Sequence, residues 1–309
     1  MIVGTGNVGA SIAFALLNQR TSVNELILTD INQDDAEGEV LDLSDALAVS
    51  PSWLKIRSGD YSAAQDCDIC ILTAGANQKP GETRTDLLQK NARITQDIVS
   101  SVVESGFHGI FIVVANPMDV LSYLTWRVSD FPSERIIGSG TILDTARLRF
   151  SLAHELEVHP KSIHAYQIGE HGDSEFAVWS SANVGGEKIS SLLSENKRHK
   201  IEDYVKNKAY QIIQKKGATH YGIGACTVQI INCILNDERR ILPVSTYDDC
   251  TDTFYSYPTI VGREGIIRRL DLQLPEAEGI KLQKSINVIK SNLKQIEELL
   301  WSTKIYPID

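Results

Sequence analysis

The chain has 309 residues, of which 42% are hydrophobic and 23% are charged, and its formal net charge at pH 7 is -10. This length predicts about two domains, because single hydrophobic cores stop growing near about 250 to 300 residues, and the composition is typical of a globular protein that folds in water. The acidic balance argues against a nucleic-acid or anionic-membrane partner, and no apolar run reaches the ~20 residues that span a bilayer.

The first half of the chain alternates short apolar runs with helical patterns, which predicts an α/β fold with a parallel sheet covered by helices. Residues 2–3 are predicted to form the first strand, residues 10–17 a helix and residues 25–30 the second strand. Further strands are predicted at 69–74 and 110–115, and residues 136–138 are predicted to close this domain. Only three residues precede Gly4, whereas strands usually have ~5 or 6, so we expect a missing or mis-assigned start.

A glycine-rich segment, Gly4-Thr5-Gly6-Asn7-Val8-Gly9, lies between the first strand and its helix. Gly4 permits the tight turn, Gly6 lets the backbone approach a pyrophosphate, and Gly9 lets the helix press on the strand. Read alone, the segment could equally be a structural turn. Asp30, placed 21 residues beyond Gly9 at the end of the second strand, adds a carboxylate for ribose hydroxyls.

This combination predicts a doubly wound parallel sheet of the Rossmann type that binds NAD. A carboxylate at Asp30 repels a 2′-phosphate, and Ile31-Asn32 offers no arginine to hold one, so NAD is favoured over NADP. The candidate cofactor-binding residues are Gly4, Gly6, Asn7, Val8, Gly9, Asp30, Gly75 and Asn116.

The second half predicts a mixed α+β substrate domain, so we place the dinucleotide-binding domain at 1–139 and the substrate domain at 140–309. A helix is predicted to carry residues 144–152, a strand residues 162–168, and a long helical stretch is broken near Lys216-Gly217. The tail from Pro275 to Trp301 has apolar residues at steps of three and four, which predicts an amphipathic helix docked on the body: Leu282, Ile286, Ile289, Leu293, Ile296 and Leu300.

The segment Gly169-Glu170-His171-Gly172-Asp173 places one histidine between glycines, where it is a turn residue or a proton-transfer group. Hydride transfer from a secondary alcohol needs a base for the hydroxyl proton, a cation that stabilises the partial negative charge on oxygen, and an anchor that orients the substrate. A histidine base needs in addition a carboxylate that holds its second ring nitrogen. Asp144 and Arg147 are three residues apart, so a helix places the acid toward His171 and the guanidinium toward the substrate. The alternative is an ion pair on a solvated helix face.

Arg84 is predicted to lie in a loop that contains Pro80 and Gly81, and such a loop is suited to close over a substrate and bring a charge to its carbonyl. The alternative is a solvated loop charge. Asn116, before Pro117, can donate an amide hydrogen bond to the same oxygen or simply initiate a turn.

The five cysteines have no framework spacing, which indicates a reducing compartment and a cytoplasmic protein. Cys67 and Cys70 are spaced so that a strand sends their side chains to opposite faces, which argues against a redox or metal site. Cys226 and Cys233 are predicted to pack on one face of a helix. No metal site is predicted.

Several segments resemble bacterial L-lactate dehydrogenases in order, spacing and content over nearly the whole chain. These are Gly-Thr-Gly-Asn-Val-Gly, Ala-Gly-Ala-Asn-Gln-Lys-Pro-Gly-Glu-Thr-Arg, Ala-Asn-Pro-Met-Asp, Leu-Asp-Thr-Ala-Arg, Gly-Glu-His-Gly-Asp and Lys-Gly-Ala-Thr. The resemblance implies His171 as the acid/base, Asp144 as its partner, Arg147 as the carboxylate clamp and Arg84 as the polarising residue. It also implies that Asn116 and Thr219 line the site, and that the protein is a homotetramer.

Gln78 bears on which 2-oxo or 2-hydroxy acid is bound. Similar malate dehydrogenases usually carry an arginine at this position for the second carboxylate, and burying an unpaired carboxylate is costly, so a monocarboxylate such as pyruvate is favoured. Two C-terminal segments, Tyr255-Ser256-Tyr257-Pro258 and Gly262-Arg263-Glu264-Gly265, are instead similar to L-2-hydroxyisocaproate dehydrogenases. A broader 2-hydroxy acid range is therefore an open alternative.

Arg149 and His164 match positions that bind fructose 1,6-bisphosphate in allosteric bacterial lactate dehydrogenases, although they could equally be ordinary surface or interface residues. A guanidinium and an imidazole repeated by a two-fold axis would trap phosphate. A rival interpretation of another class is a catalytically idle nucleotide-binding or structural protein, since fold alone does not establish activity. The joint presence of base, partner, clamp and lid arginine favours the enzyme.

Overall fold

The computed structural model describes residues 1–76, 81 and 83–296. The elements of the first half are β1 (Ile2–Val3), α1 (Asn7–Asn18), β2 (Glu25–Thr29), α2 (Gln33–Leu47), β3 (Lys55–Ser58), β4 (Ile69–Leu72), α3 (Arg84–Glu104), β5 (Ile110–Val113), α4 (Met118–Ser129) and β6 (Ile136–Gly138). Short 3₁₀ helices cover Tyr61–Asp66 and Ser133–Arg135.

The second half begins with a helix that packs against other elements of the second half. Its elements are α5 (Ile142–Leu156), β7 (Ile163–His164), β8 (Gln167–Ile168), β9 (Phe176–Ala177), β10 (Asn183–Val184), β11 (Glu187–Lys188), α6 (Ile189–Leu192), α7 (Glu195–Lys216), α8 (Tyr221–Leu235), β12 (Arg240–Asp248), β13 (Thr253–Gly262), β14 (Gly265–Arg269) and α9 (Glu276–Lys294). A further 3₁₀ helix covers Pro160–Ser162.

The first six strands pair in parallel in the order β3-β2-β1-β4-β5-β6. The apolar runs of β4 and β5 are buried at every position, as a parallel sheet covered on both faces requires. This order confirms the predicted doubly wound fold. It also places the strand-order reversal between β1 and β4, where such sheets bind ligands.

The sheet does not end at β6. Ser245 of β12 pairs antiparallel with Gly138, and β13 and β14 continue the same sheet, which has nine strands within the described residues. Residues 136–138 form the last parallel strand, and the sheet continues beyond them into strands of the second half. The pairing partner comes from a distant part of the chain, where β12 and β13 are buried over most of their length.

The single strand predicted at 162–168 is two short strands in different sheets, since β7 pairs with β10 and β8 with β9. A side chain of α5 and the side chain of its N-cap residue, Thr141, hydrogen-bond the backbone of β8. Thr145 Oγ1 accepts a hydrogen bond from Gln167 N at 2.9 Å, and Thr141 Oγ1 donates to Gln167 O at 2.6 Å. These bonds turn the chain toward the loop that carries His171.

Two buried apolar clusters cover the two faces of the sheet. One contains residues of α1 and α8, including Cys226 and Cys233, and the other contains residues of α3, α4 and α9. Cys70 is buried in β4, whereas Cys67 follows the 3₁₀ helix Tyr61–Asp66. In the tail, Ile286, Ile289 and Ile296 are buried, while Leu300 and Trp301 lie outside the described residues.

None of the helices in the described part of the chain is both long and apolar enough to cross a membrane.

Candidate active site

The glycine turn after β1 depends on two positions where a side chain does not fit. Gly4 has φ +101°, and a Cβ there would lie 2.6 Å from Ala74 N. A Cβ at Gly9 would collide with the carbonyl oxygen of Gly4, so α1 is pressed onto the turn. Gly6 occupies the N-cap position of α1 and faces open space, which leaves the amino terminus of α1, at Asn7 and Val8, accessible to an anion.

Asp30 braces this turn from the end of β2. Its Oδ2 accepts hydrogen bonds from Thr5 N at 2.7 Å and from Thr5 Oγ1 at 3.1 Å. Its Oδ1 accepts from Asn32 N at 3.1 Å. The carboxylate is therefore fixed relative to the glycine turn before any ligand arrives.

A cavity of about 630 Å³ opens between the glycine turn, the end of β2 and the segment after β4. Gly4, Gly6, Asp30 and Gly75 line it, together with apolar side chains that include the fully exposed Ile31. A turn without side chains, a fixed carboxylate and an apolar wall are what a dinucleotide requires for its pyrophosphate, ribose and base. These residues therefore fit NAD.

The structure brings the three predicted side chains of the second half together. His171 Nδ1 lies 2.9 Å from Asp144 Oδ2, and Arg147 Nη1 donates to Asp144 Oδ1 at 2.9 Å. Asp144 and Arg147 are 3% and 8% exposed, so their ion pair is not on a solvated helix face. Within the described residues, Arg147 donates one N–H group to Asp144. Its planar guanidinium has further N–H groups that can bind the carboxylate of a ligand.

The charges of this group shift its acid–base behaviour. Burial alone would raise the pKa of Asp144, but His171 and Arg147 outweigh it, so the pKa lies below its usual range. Burial alone would lower the pKa of His171, but the Asp144 carboxylate outweighs it and holds the pKa above its usual value. His171 still has 28% of its side chain exposed, so the imidazole can reach a ligand.

Glu175 joins this group and was not predicted from the sequence. Burial first, and then the neighbouring Asp144, raise the pKa of Glu175 well above its usual value. Asp144, His171 and Glu175 each place one nitrogen or oxygen within 4.8 Å of the others. The Asp144 oxygens already accept from His171 and Arg147, so hydrogen bonding explains the cluster.

The loop that carries His171 is held by hydrogen bonds from three different elements. Gly169 N donates to Ser256 O at 2.9 Å, and Glu170 N donates to Ser285 Oγ at 2.6 Å. His171 N donates to Asp119 Oδ2 at 2.8 Å. Three successive backbone amides are therefore fixed by β13, α9 and α4, in that order.

The sequence predicted that Arg84 lies in a loop, and this was wrong. Arg84 is the first residue of α3. The reason is a capping box in which Thr83 and Asp86 bond reciprocally and start the helix at that point. The Tyr210 hydroxyl donates to Asp173 Oδ1 at 2.8 Å, and the pKa of Tyr210 is raised by Asp173 and by burial and lowered in part by the nearby Arg84 guanidinium. Arg84 at the start of α3 therefore lies near the loop that carries His171.

The other predicted residues have the following positions. Asn116 is exposed, precedes a cis bond to Pro117, and its carbonyl accepts from Asn91 Nδ2 at 2.9 Å. Thr219 lies between α7 and α8, next to His220, which is 2.8 Å from Ser11 Oγ of α1. Gln78 lies outside the described residues.

The two residues of the predicted phosphate site are neighbours through the backbone. Arg149 Nε donates to Ala165 O at 3.0 Å, and its guanidinium lies 4.9 Å above the Tyr166 ring. His164 is exposed on β7. Burial lowers the pKa of Arg149 from its ordinary value.

Comparison with known families identifies both halves of the chain. The family model described as lactate/malate dehydrogenase, NAD binding domain, matches residues 1–138. The model described as lactate/malate dehydrogenase, alpha/beta C-terminal domain, matches residues 141–300.

Curated relatives and solved structures are similar over nearly the whole chain. An L-lactate dehydrogenase of Geobacillus sp. (strain WCH70) is 48% identical over 304 residues, covering 95% of this chain and 95% of the relative. L-lactate dehydrogenase 2 of Bacillus cereus is 44% identical over 306 residues, covering 96% and 97%. The crystal structure of minor L-lactate dehydrogenase from Enterococcus mundtii, ligands-bound form, has a TM-score of 0.93 and 47% identity, covering 96% of this chain and 97% of that one.

Proposed function

This chain belongs to the lactate/malate dehydrogenase family, and on that premise we propose that it is an NAD-dependent dehydrogenase that interconverts pyruvate and L-lactate. The single observation that carries the proposal is the His171–Asp144 contact of 2.9 Å, with Arg147 on the other oxygen of the same carboxylate. A base with a fixed partner beside a buried guanidinium suits a small 2-oxo or 2-hydroxy acid.

His171 acts as the acid and base of the reaction. Because Nδ1 donates to Asp144, the other ring nitrogen, Nε2, is available to accept the hydroxyl proton of L-lactate or to return it to pyruvate. The Asp144 carboxylate stabilises the imidazolium that forms. NAD, when bound by the glycine turn and Asp30, accepts or supplies the hydride.

Arg147 binds the substrate carboxylate, because a guanidinium matches two carboxylate oxygens edge to edge. Arg84 approaches the substrate carbonyl and stabilises its developing negative charge, and Asn116 and Thr219 line the same space. A fixed substrate, base and cation convert the transfer into a reaction between oriented partners.

The substrate is a monocarboxylate because Gln78 supplies no charge for a second carboxylate. The alternative, a broader L-2-hydroxyisocaproate-type range, depends on the segments around Tyr257 and Arg263. Tyr255 and Tyr257 are buried in β13 and pack on the Arg269 guanidinium, whose centre lies 4.1 and 4.7 Å from the two ring centroids. Because both rings pack on Arg269, their positions add no support for the broader L-2-hydroxyisocaproate-type range.

We propose further that the protein is a cytoplasmic homotetramer activated by fructose 1,6-bisphosphate at Arg149 and His164. The five free cysteines, three of them buried, support a reducing compartment. Arg149 and His164 lie beside one another through Ala165, and two such pairs across a two-fold axis would face one bisphosphate. Pyruvate saturation curves with and without the bisphosphate test this, and identical curves contradict it.

The decisive experiment follows the loss of NADH absorbance in the presence of pyruvate, 2-oxoisocaproate or oxaloacetate. We expect the highest kcat/KM with pyruvate and the lowest with oxaloacetate. His171→Asn should leave NADH binding unchanged while turnover falls by about 10² to 10⁴-fold, as loss of a positioned acid/base implies. Intact NADH binding with no turnover on any of the three acids would favour the catalytically idle alternative.

A further inference from the structure

Asp119 is a buried carboxylate that none of the roles described above uses. It lies in the first turn of α4, is 3% exposed, and contacts two other parts of the fold. Its Oδ2 accepts the hydrogen bond from His171 N at 2.8 Å, and its Oδ1 accepts from Ser245 Oγ of β12 at 2.6 Å. Each carboxylate oxygen therefore has one donor.

Burial of the Asp119 carboxylate costs free energy, because a charged group loses its hydration when it is removed from water. Burial raises the pKa of Asp119 to about 7, although the bonds from Ser245 and His171 N lower it. An apolar residue at this position would avoid that cost but would leave the buried N–H group of His171 without a partner. The arrangement favours a role at the histidine over a role in packing.

We propose that Asp119 is a positioning residue for His171, which it fixes by accepting the hydrogen bond from the histidine's own backbone N–H group. The inference rests on the proposed role of His171 as acid/base. The imidazole is then oriented at two points: the ring by Asp144 of α5, and the backbone by Asp119 of α4. Since α4 follows β5 of the cofactor-binding half, Asp119 ties the position of the base to the sheet that holds the cofactor site.

The sequence alone does not identify Asp119 as a site residue. Asp119 ends the segment Ala115-Asn116-Pro117-Met118-Asp119, in which only Asn116 was predicted to line the site. An acid in the first turn of a helix is ordinarily explained by the helix dipole. Only the contact with His171, 52 residues further along the chain, distinguishes the two roles.

The test compares two substitutions at the same position. Asp119→Ala removes the acceptor, and a shift of the base by about 1 Å should lower kcat/KM for pyruvate on the order of 100-fold. Asp119→Asn keeps an oxygen for His171 N and turns its amide toward Ser245 Oγ, so activity should stay within about fivefold of the wild type. NADH binding, measured by fluorescence well below the melting temperature, should be unchanged in both.

A matched control separates positioning from loss of stability. Thr125 lies in the same helix, is equally buried and donates only within the helix, to Leu121 O at 2.8 Å. Thr125→Ala should lower the melting temperature while kcat stays within about twofold of the wild type. If Asp119→Ala keeps kcat/KM within threefold of the wild type, or if Asp119→Asn is as impaired as Asp119→Ala, the proposal is overturned.

The pH profile supplies a readout that a structural role would not move. The titratable and charged groups that face His171 in the described part of the chain are Asp144 and Arg147 of α5, Glu175 just before β9, and Asp119 of α4. Asp144 first, and then Asp119, raise the pKa of the imidazole. Asp119→Asn removes that charge, so the alkaline limb of kcat/KM for pyruvate should move to lower pH, and an unmoved limb counts against the proposal. If His171→Asn retains full turnover, the proposed function fails instead, independently of Asp119.

Discussion

His171 Nδ1 lies 2.9 Å from Asp144 Oδ2, and the acid is held in turn by Arg147 at 2.9 Å. This contact fixes the tautomer of the imidazole, because a carboxylate only accepts and Nδ1 must therefore carry the proton. It also links the proposed base, His171, and the proposed substrate anchor, Arg147, through one carboxylate. A substitution at Asp144 should therefore disturb the orientation of both His171 and Arg147.

Asp144→Asn should lower kcat for pyruvate reduction on the order of 10³-fold, because an amide cannot stabilise the imidazolium and can present a donor to Nδ1. Steady-state kinetics with NADH measure this. Ser151→Ala is the matched control, since Ser151 lies on the same helix and donates only to Arg147 O, at 3.0 Å. A kcat for Asp144→Asn within tenfold of the wild type would contradict the assignment.

The pH dependence of the two directions should be opposite. Pyruvate reduction needs protonated His171, whose pKa is raised by Asp144 above its ordinary value of 6.5. Its kcat/KM should therefore persist above pH 6.5 and fall as the pH rises through the raised value, while that of lactate oxidation rises over the same range.

The same shift predicts a stability effect. The charged His171–Asp144 pair stabilises the fold fully below the unfolded histidine pKa, and this contribution is lost as the pH rises through the folded pKa. The difference in melting temperature between the wild type and His171→Asn should therefore shrink with rising pH. A difference that grows with pH would show that the imidazole is not stabilised as the cation.

Asp30→Ala should raise the KM for NADH about tenfold, the effect of ~1.4 kcal/mol, because the glycine turn loses its brace at Thr5 and the ribose loses an acceptor. Discrimination against NADPH should narrow, since the repelling charge is gone. Asp34→Ala, an exposed acid in the first turn of α2, is the control and should change neither. Equal KM values for Asp30→Ala and the wild type would remove Asp30 from the cofactor site.

Gln78→Arg should raise turnover of oxaloacetate relative to pyruvate, because a guanidinium would pair with the second carboxylate. The ratio of the two kcat/KM values, measured side by side with NADH, reports the change. Gln78→Leu adds no charge and should leave oxaloacetate a poor substrate. An unchanged ratio in Gln78→Arg would place the second carboxylate elsewhere.

The parallel half of the fold was predictable because its signals are local. The apolar runs of β4 and β5, the glycine turn at Gly4 and the acid at Asp30 each specify their own conformation. The junction between Gly138 and Ser245 was not predictable, because strand pairing across 107 residues depends on contacts that no local pattern contains.

The candidate site was predictable to the extent that its residue types are unusual. A histidine between glycines and an Asp144–Arg147 spacing of three indicate chemistry without any structure. Asp119 and Glu175 escaped prediction because a lone acid in a helix turn or a loop is common, and only burial beside His171 or Asp144 makes it informative. Arg84 was predicted in the loop but begins α3, because Thr83 and Asp86 form a capping box that starts the helix there.

The ladder that joins β6 to β12 also limits how this molecule opens. A rigid rotation of one half of the chain against the other would break the sheet pairing of Ser245 with Gly138. Movements of single loops leave this pair intact, so the contacts around the His171 imidazole do not depend on such movements.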